Sequence, residues 1–185
     1  MKIASVITIL LSISTILCAN APGFPRGKAP AWQGTAVVGT TFQKLSSADY
    51  AGKYLVLLFY PFDFTYVCPT ELIAFSEASD KFAALNANVV GVSVDSHFTH
   101  LAWVKTPRTQ GGVGQLNFPL LADISKDVSR DYGVLVEDKN DDLYGASLRG
   151  LFIIDQAGII RHMQINDAPV GRSVDEVNFN REIFK

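Results

Sequence analysis

Lys53-Tyr54-Leu55-Val56-Leu57-Leu58-Phe59-Tyr60-Pro61-Phe62-Asp63-Phe64-Thr65-Tyr66-Val67-Cys68-Pro69-Thr70-Glu71-Leu72-Ile73-Ala74-Phe75 decides how the chain folds. Tyr54 to Tyr60 is a nearly unbroken run of β-formers, the composition of a strand covered on both faces and therefore central in a sheet. Pro61 ends that run. After a short loop, Pro69, Glu71 and the apolar positions Leu72, Phe75, Phe82 and Leu85 carry the first-turn chemistry and the spacing of a helix. Cys68 is thus expected at the mouth of a helix, directly downstream of a buried strand.

The thiolate, not the thiol, is the nucleophile, and the unpaired N–H groups and dipole of a helix N-terminus favour the anion. A cysteine without context is more often a buried structural residue. The surrounding residues change that balance. Pro61-x-x-x-Thr65-x-x-Cys68, continued by Pro69-Thr70-Glu71, resembles the active-site signature of the peroxiredoxins, thiol peroxidases built on a thioredoxin fold. Thr65 brings a hydroxyl about one turn before the sulfur, where it can donate to a peroxide oxygen. Pro61 can shield the sulfur without adding a competing N–H donor. Glu71 has a structural reading as a first-turn acid, but an unpaired carboxylate so near the sulfur would oppose the thiolate, so the site requires a cation. The resemblance supplies two. Arg149, in Ser147-Leu148-Arg149-Gly150-Leu151, matches the arginine that stabilises the sulfur anion in that family, and Arg172, in Gly171-Arg172-Ser173-Val174, matches one that pairs with the glutamate.

At the start of the chain, Lys2 is followed by the apolar stretch Ile3 to Leu17 and by Cys18-Ala19-Asn20-Ala21. One charge, a short apolar core and small exit residues describe a secretory leader over residues 1–19, shorter than the ~20 apolar residues that span a bilayer. Such a leader directs the protein to the secretory pathway, and its removal would discard Cys18 and leave about 165 residues for one domain with a real core. Hydrophobic residues make up 48% and charged residues 18%, with a formal net charge of −2. That balance, without cationic runs, gives no footprint for nucleic acid, and the leader is not read as a membrane anchor.

Residues 20–34 read as an extended lead-in with Trp32 packing onto the domain. Thr35 to Phe42 suggests a strand pair around Gly39, and Ser46 to Gly52 a turn. Beyond the active-site helix, Val89 to Asp95 reads as a second buried strand. Asp95-Ser96 caps a helix that Pro107 stops. Leu116 to Leu121 suggests a strand, Ser125 to Tyr132 a helix ended by Gly133, Leu151 to Ile154 another buried strand and Ile159 to Ile165 an alternating edge strand. Strands interleaved with helices predict an α/β sandwich with a mixed sheet, which fits the thioredoxin-like fold, a central mixed sheet flanked by helices, that the resemblance implies for residues 35–176.

Other motifs do not lead to a site. Asp138-x-Asn140-x-Asp142 imitates a calcium loop, but Leu143 replaces the required glycine and Arg149 the closing glutamate. His97 and His100 lie one helical turn apart without a further ligand, so capping and surface roles suffice for them. Gly111-Gly112-Val113-Gly114 lacks the lysine of a phosphate loop, and no G-x-S-x-G elbow occurs. A thioredoxin-type C-x-x-C pair is excluded because position 71 is Glu.

The resemblance runs from about Lys28 to Glu176 and is closest to the typical two-cysteine peroxiredoxins, particularly their secreted or endoplasmic-reticulum branch. It implies reduction of hydrogen peroxide and alkyl hydroperoxides through a sulfenic acid on Cys68, without metal or cofactor, in antioxidant defence and redox homeostasis. It also implies a homodimer or higher oligomer and thioredoxin or another external thiol as reductant. Residues 177–185 depart from the family: the group's resolving cysteine has no counterpart there, which suggests either a shortened product, from splicing or a truncated gene model, or a one-cysteine cycle that relies on an outside thiol. A non-enzymatic, holdase-like or signalling oligomer with an impaired site is the alternative reading.

Overall fold

A computed structural model describes residues 23–179; the leader expected over residues 1–19 with Cys18, and the end of the chain from residue 180, lie outside them. Among the described residues, seven strands form one sheet: β1 (Gln33–Val38), β2 (Thr41–Ser46), β3 (Tyr54–Phe59), β4 (Ala87–Ser93), β5 (Leu120–Ala122), β6 (Arg149–Ile154) and β7 (Ile160–Asn166). Their spatial order is β2-β1-β5-β4-β3-β6-β7. β4 runs parallel to both β3 and β5, while β1 with β2, β1 with β5, β3 with β6, and β6 with β7 are antiparallel. The sheet is therefore mixed, as the sequence suggests.

All six residues of β3 are buried, and the strand's two-residue period divides them between two cores. Val56 and Leu58, with Tyr60 just beyond the strand, join Leu72, Phe75, Phe82 and Trp103 on one face. Leu55, Leu57 and Phe59 join Trp32, Tyr132, Phe152 and Ile154 on the other. A strand covered on both faces has no solvent side to reward polar residues, which is why Tyr54 to Tyr60 reads as continuous apolar sequence.

The helices are α1 (Cys68–Glu77), α2 (Ser79–Ala84), α3 (His97–Lys105), α4 (Asp127–Asp131) and α5 (Val174–Phe179). The expected active-site helix is broken in two at Ala78, which leaves helical geometry at φ −88°, ψ 6°. α1 buries Cys68, Glu71, Leu72, Phe75 and Ser76, an i, i+3, i+4, i+7, i+8 stripe. The same stripe that packs the helix onto the sheet carries the cysteine and the glutamate inward. α3 is capped as predicted: the Ser96 hydroxyl accepts the Thr99 N–H at 3.1 Å.

Some boundaries differ from expectation. The strand expected over Leu116 to Leu121 pairs only over Leu120–Ala122, since Leu116 and Phe118 are buried in the core outside any ladder. The β1–β2 hairpin extends beyond Phe42 to Ser46 and turns at Gly39, whose φ of +59° suits glycine. The expected Ser125 to Tyr132 helix forms only from Asp127 to Asp131, because Lys126 takes a left-handed φ of +66° before it. β7 closes one end of the sheet, as its alternation suggests. None of the helices among the described residues is long and apolar enough to cross a membrane.

Candidate active site

Cys68 opens α1 immediately after Val67, and its side chain is fully buried. Two arginines reach this point from far along the chain. Arg149 starts β6, which pairs with β3, so the sheet itself delivers its guanidinium to the C-terminal end of β3. Arg149 Nη1 lies 3.3 Å from Cys68 Sγ and 3.0 Å from Glu71 Oε2. Its Nε donates to the Ala168 carbonyl, which fixes the plane of the group.

Arg172, just before α5, holds the other side of Glu71. Its Nε donates to Glu71 Oε1 at 2.7 Å and its Nη2 to Oε2 at 2.8 Å, a two-pronged pair that arginine geometry favours. The Arg172 backbone N–H adds a 2.6 Å bond to Oε1, and Nη1 donates to the Gly150 carbonyl at 2.6 Å. Burial pushes the Glu71 carboxyl up, but the hydrogen bonds and charge of Arg172, with the charge of Arg149, overcome that and hold it below its ordinary value. Glu71 therefore stays ionised.

Glu71, Arg149 and Arg172 are all buried, and together they carry one positive charge in excess. An uncompensated charge out of water is expensive. Cys68 Sγ lies within reach of Arg149 Nη1, beside this excess of positive charge.

The remaining predicted residues are placed less directly. Pro61 is buried immediately after Tyr60, at the end of β3. Thr65 is exposed, with its hydroxyl donated to the Phe62 carbonyl at 2.9 Å, so the structure does not aim that hydroxyl at the sulfur. His100 corrects the surface role assigned to it. It is fully buried, with Nδ1 2.7 Å from Asp63 Oδ2. The signal was available in the spacing, for His100, Trp103 and Val104 fall at i, i+3 and i+4 and form the buried stripe of α3. Among the described residues, no group of three or more His, Cys, Asp and Glu side chains is placed to hold a metal ion.

The fold and this centre define a thioredoxin-like α/β protein with a buried cysteine–arginine site. Residues 25–163 match the model of the AhpC/TSA family. The chain is 59% identical over 148 residues to peroxiredoxin-4 of Bos taurus, covering 80% of this chain and 52% of that protein. It is 55% identical over 163 residues to the mitochondrial thioredoxin-dependent peroxide reductase of Homo sapiens, covering 88% of this chain and 61% of that protein. The chain thus spans little more than half the length of these curated relatives. Among solved structures it resembles the reduced 2-Cys peroxiredoxin of Plasmodium vivax, with a TM-score of 0.80 and 43% identity over 86% of this chain and 80% of that one. It also resembles AhpC of Enterococcus faecalis, with a TM-score of 0.78 and 34% identity over 88% of this chain and 91% of that one. The chain belongs to the AhpC/TSA family.

Proposed function

We propose that the protein is a thiol peroxidase that reduces hydrogen peroxide and alkyl hydroperoxides through Cys68. The observation that carries this reading is Arg149 Nη1, 3.3 Å from Cys68 Sγ within a buried cluster that has one positive charge in excess. The Cys68 thiolate attacks the terminal oxygen of the peroxide: an S–O bond forms with the sulfur's electron pair and the O–O bond breaks. The departing oxygen takes the proton from the transferred hydroxyl and leaves as water or alcohol, with Cys68 oxidised to the sulfenate. Arg149 offsets charge on the sulfur and on the oxygens as the bond breaks. Glu71 and Arg172 hold Arg149 in place. In this reading Pro61 shields the sulfur and Thr65 turns its hydroxyl toward bound peroxide.

The sulfenic acid returns to thiol by consuming two thiols of an external reductant, which become a disulfide as water leaves. Thioredoxin is the reductant favoured here, since related proteins bear the name thioredoxin-dependent peroxide reductase. Oligomer formation is supported by β7, whose outer edge can pair with its copy across a twofold axis to make a homodimer. The leader read over residues 1–19 favours the secretory pathway, and N-terminal sequencing of protein recovered from that compartment tests it.

Stopped-flow loss of peroxide, measured with the wild-type chain and with Cys68→Ser, tests the activity. A fast phase equal to one peroxide per chain, absent in the variant, is expected. Equal traces would overturn the peroxidase reading in favour of a holdase-like or signalling role.

A further inference from the structure

The segment from Tyr60 to Thr65 leads from β3 into the loop before Cys68, and a buried polar network ties it to the rest of the domain. Asp63 Oδ1 accepts the Tyr60 hydroxyl at 2.8 Å, and Oδ2 lies 2.7 Å from His100 Nδ1 on α3. The Asp63 backbone N–H donates to Asp95 Oδ2 at 2.9 Å, an oxygen that also accepts the Ser93 hydroxyl at 2.8 Å. His100 Nε2 lies 3.3 Å from the Leu121 carbonyl. The side chains of Asp63 and His100 are both fully enclosed. None of these groups hydrogen-bonds to Cys68, whose sulfur is reached by Arg149.

So much buried polarity in an otherwise apolar core is costly unless every member is satisfied, and it fixes geometry when it is. Immediately after Asp63, Phe64 adopts a φ of +54°, which a non-glycine residue seldom takes and which neighbouring structure must enforce. Its ring also lies 6.1 Å from that of Trp103 on α3. Burial pushes the Asp63 carboxyl up, against the hydrogen bond and charge of His100, so the network disfavours an unpaired carboxylate at this position.

We propose that Asp63 and His100 are positioning residues for peroxide reduction. Pinned between Pro61 and Thr65, the Asp63–His100 pair holds the turn at Phe64 and so sets where those two residues stand relative to Cys68. The inference rests on the peroxidase reading, and it separates two properties of the site. Arg149 stands beside the sulfur itself, whereas the peroxide pocket is shaped by the anchored segment. Loss of the anchor should slow attack on peroxide and leave the intrinsic reactivity of the sulfur unchanged.

The test compares two second-order rates on Cys68: single-turnover oxidation by hydrogen peroxide and alkylation by iodoacetamide. Asp63→Asn and His100→Gln are each expected to slow oxidation by about tenfold or more, while alkylation stays within about twofold of wild type. His100→Asn, which can put an amide nitrogen near the former Nδ1, is expected to retain most of the oxidation rate. Should Asp63→Asn fail to fold, Tyr60→Phe, which removes one donor to Asp63, takes its place. Oxidation at the wild-type rate in Asp63→Asn (or its Tyr60→Phe substitute) and His100→Gln, or oxidation and alkylation falling by the same factor, overturns the positioning role. A wild-type chain that shows no peroxide phase at all overturns the peroxidase reading and this inference with it.

Discussion

Arg172 grips Glu71 through two guanidinium bonds and one backbone bond, leaving only one contact of the carboxylate, at Oε2, for Arg149. Glu71 is thereby committed mainly to Arg172, and Arg149 Nη1 keeps its approach to the sulfur. The carboxylate acts as a strut between two cations.

Glu71→Gln should therefore be strongly destabilising, because it leaves two buried guanidinium groups facing a neutral amide. A loss of about 3–5 kcal/mol is expected. The midpoint of urea unfolding at pH 7, compared with wild type, measures it.

The same pair gives a pH dependence of known sign. Glu71's folded value lies below its ordinary 4.5, so its stabilising contribution is complete above that pH and is lost as pH falls through the lowered value. Asp63 and Asp123 are shifted upward, chiefly by burial, and act in the opposite direction, so a simple acid titration mixes the contributions. The difference in stability between wild type and Glu71→Gln isolates the first: it should be largest near neutrality and shrink on acidification below about pH 4.5.

Arg149→Ala should slow peroxide reduction by about 10²–10³-fold, the typical cost of removing a group aimed at developing charge. Arg149→Lys should rescue it poorly. A single ammonium cannot keep the Ala168 carbonyl, the Glu71 carboxylate and the Cys68 sulfur at once with the planar geometry seen here. Single-turnover stopped-flow rates check both.

Gly112→Ala should destabilise by about 2–4 kcal/mol, since an added Cβ would stand 1.8 Å from the Thr106 carbonyl oxygen. That contact is with backbone and cannot be relieved by a rotamer change. Gly111→Ala meets nothing within 4 Å, but its φ of +82° still imposes strain, about 1–3 kcal/mol. Thermal melts of the two variants separate a clash from a backbone preference.

Ser96→Ala should cost about 1 kcal/mol, the usual value of a lost helix cap, because the Thr99 N–H loses its acceptor. The chemical denaturation midpoint reads this directly.

The parts of the fold governed by local periodicity were legible before any coordinates. β3, β4, α3 and the edge strand β7 follow from runs of β-formers, a serine cap and alternation. The break at Ala78 is not, because no proline or glycine marks it and tertiary packing decides it; the late start of β5 does carry a mark, Pro119 directly before Leu120, which has no N–H to give a ladder. At the site, Cys68 and Glu71 share a helix face by spacing alone. Nothing in local sequence brings Arg149 or Arg172 to them, and the family resemblance supplied that step. His100 shows the reverse case: its spacing with Trp103 and Val104 points inward, while its polar chemistry alone suggests the surface.

Arg149 and Arg172 join Glu71 across 78 and 101 residues of sequence. During translation Cys68 leaves the ribosome well before either arginine has been made, so the nascent chain holds a thiol without its cationic partners. Such distant pairings form late, after the ends of a long loop have been brought together. On the peroxidase reading proposed above, the nucleophile therefore acquires its cationic partners only once the domain is complete.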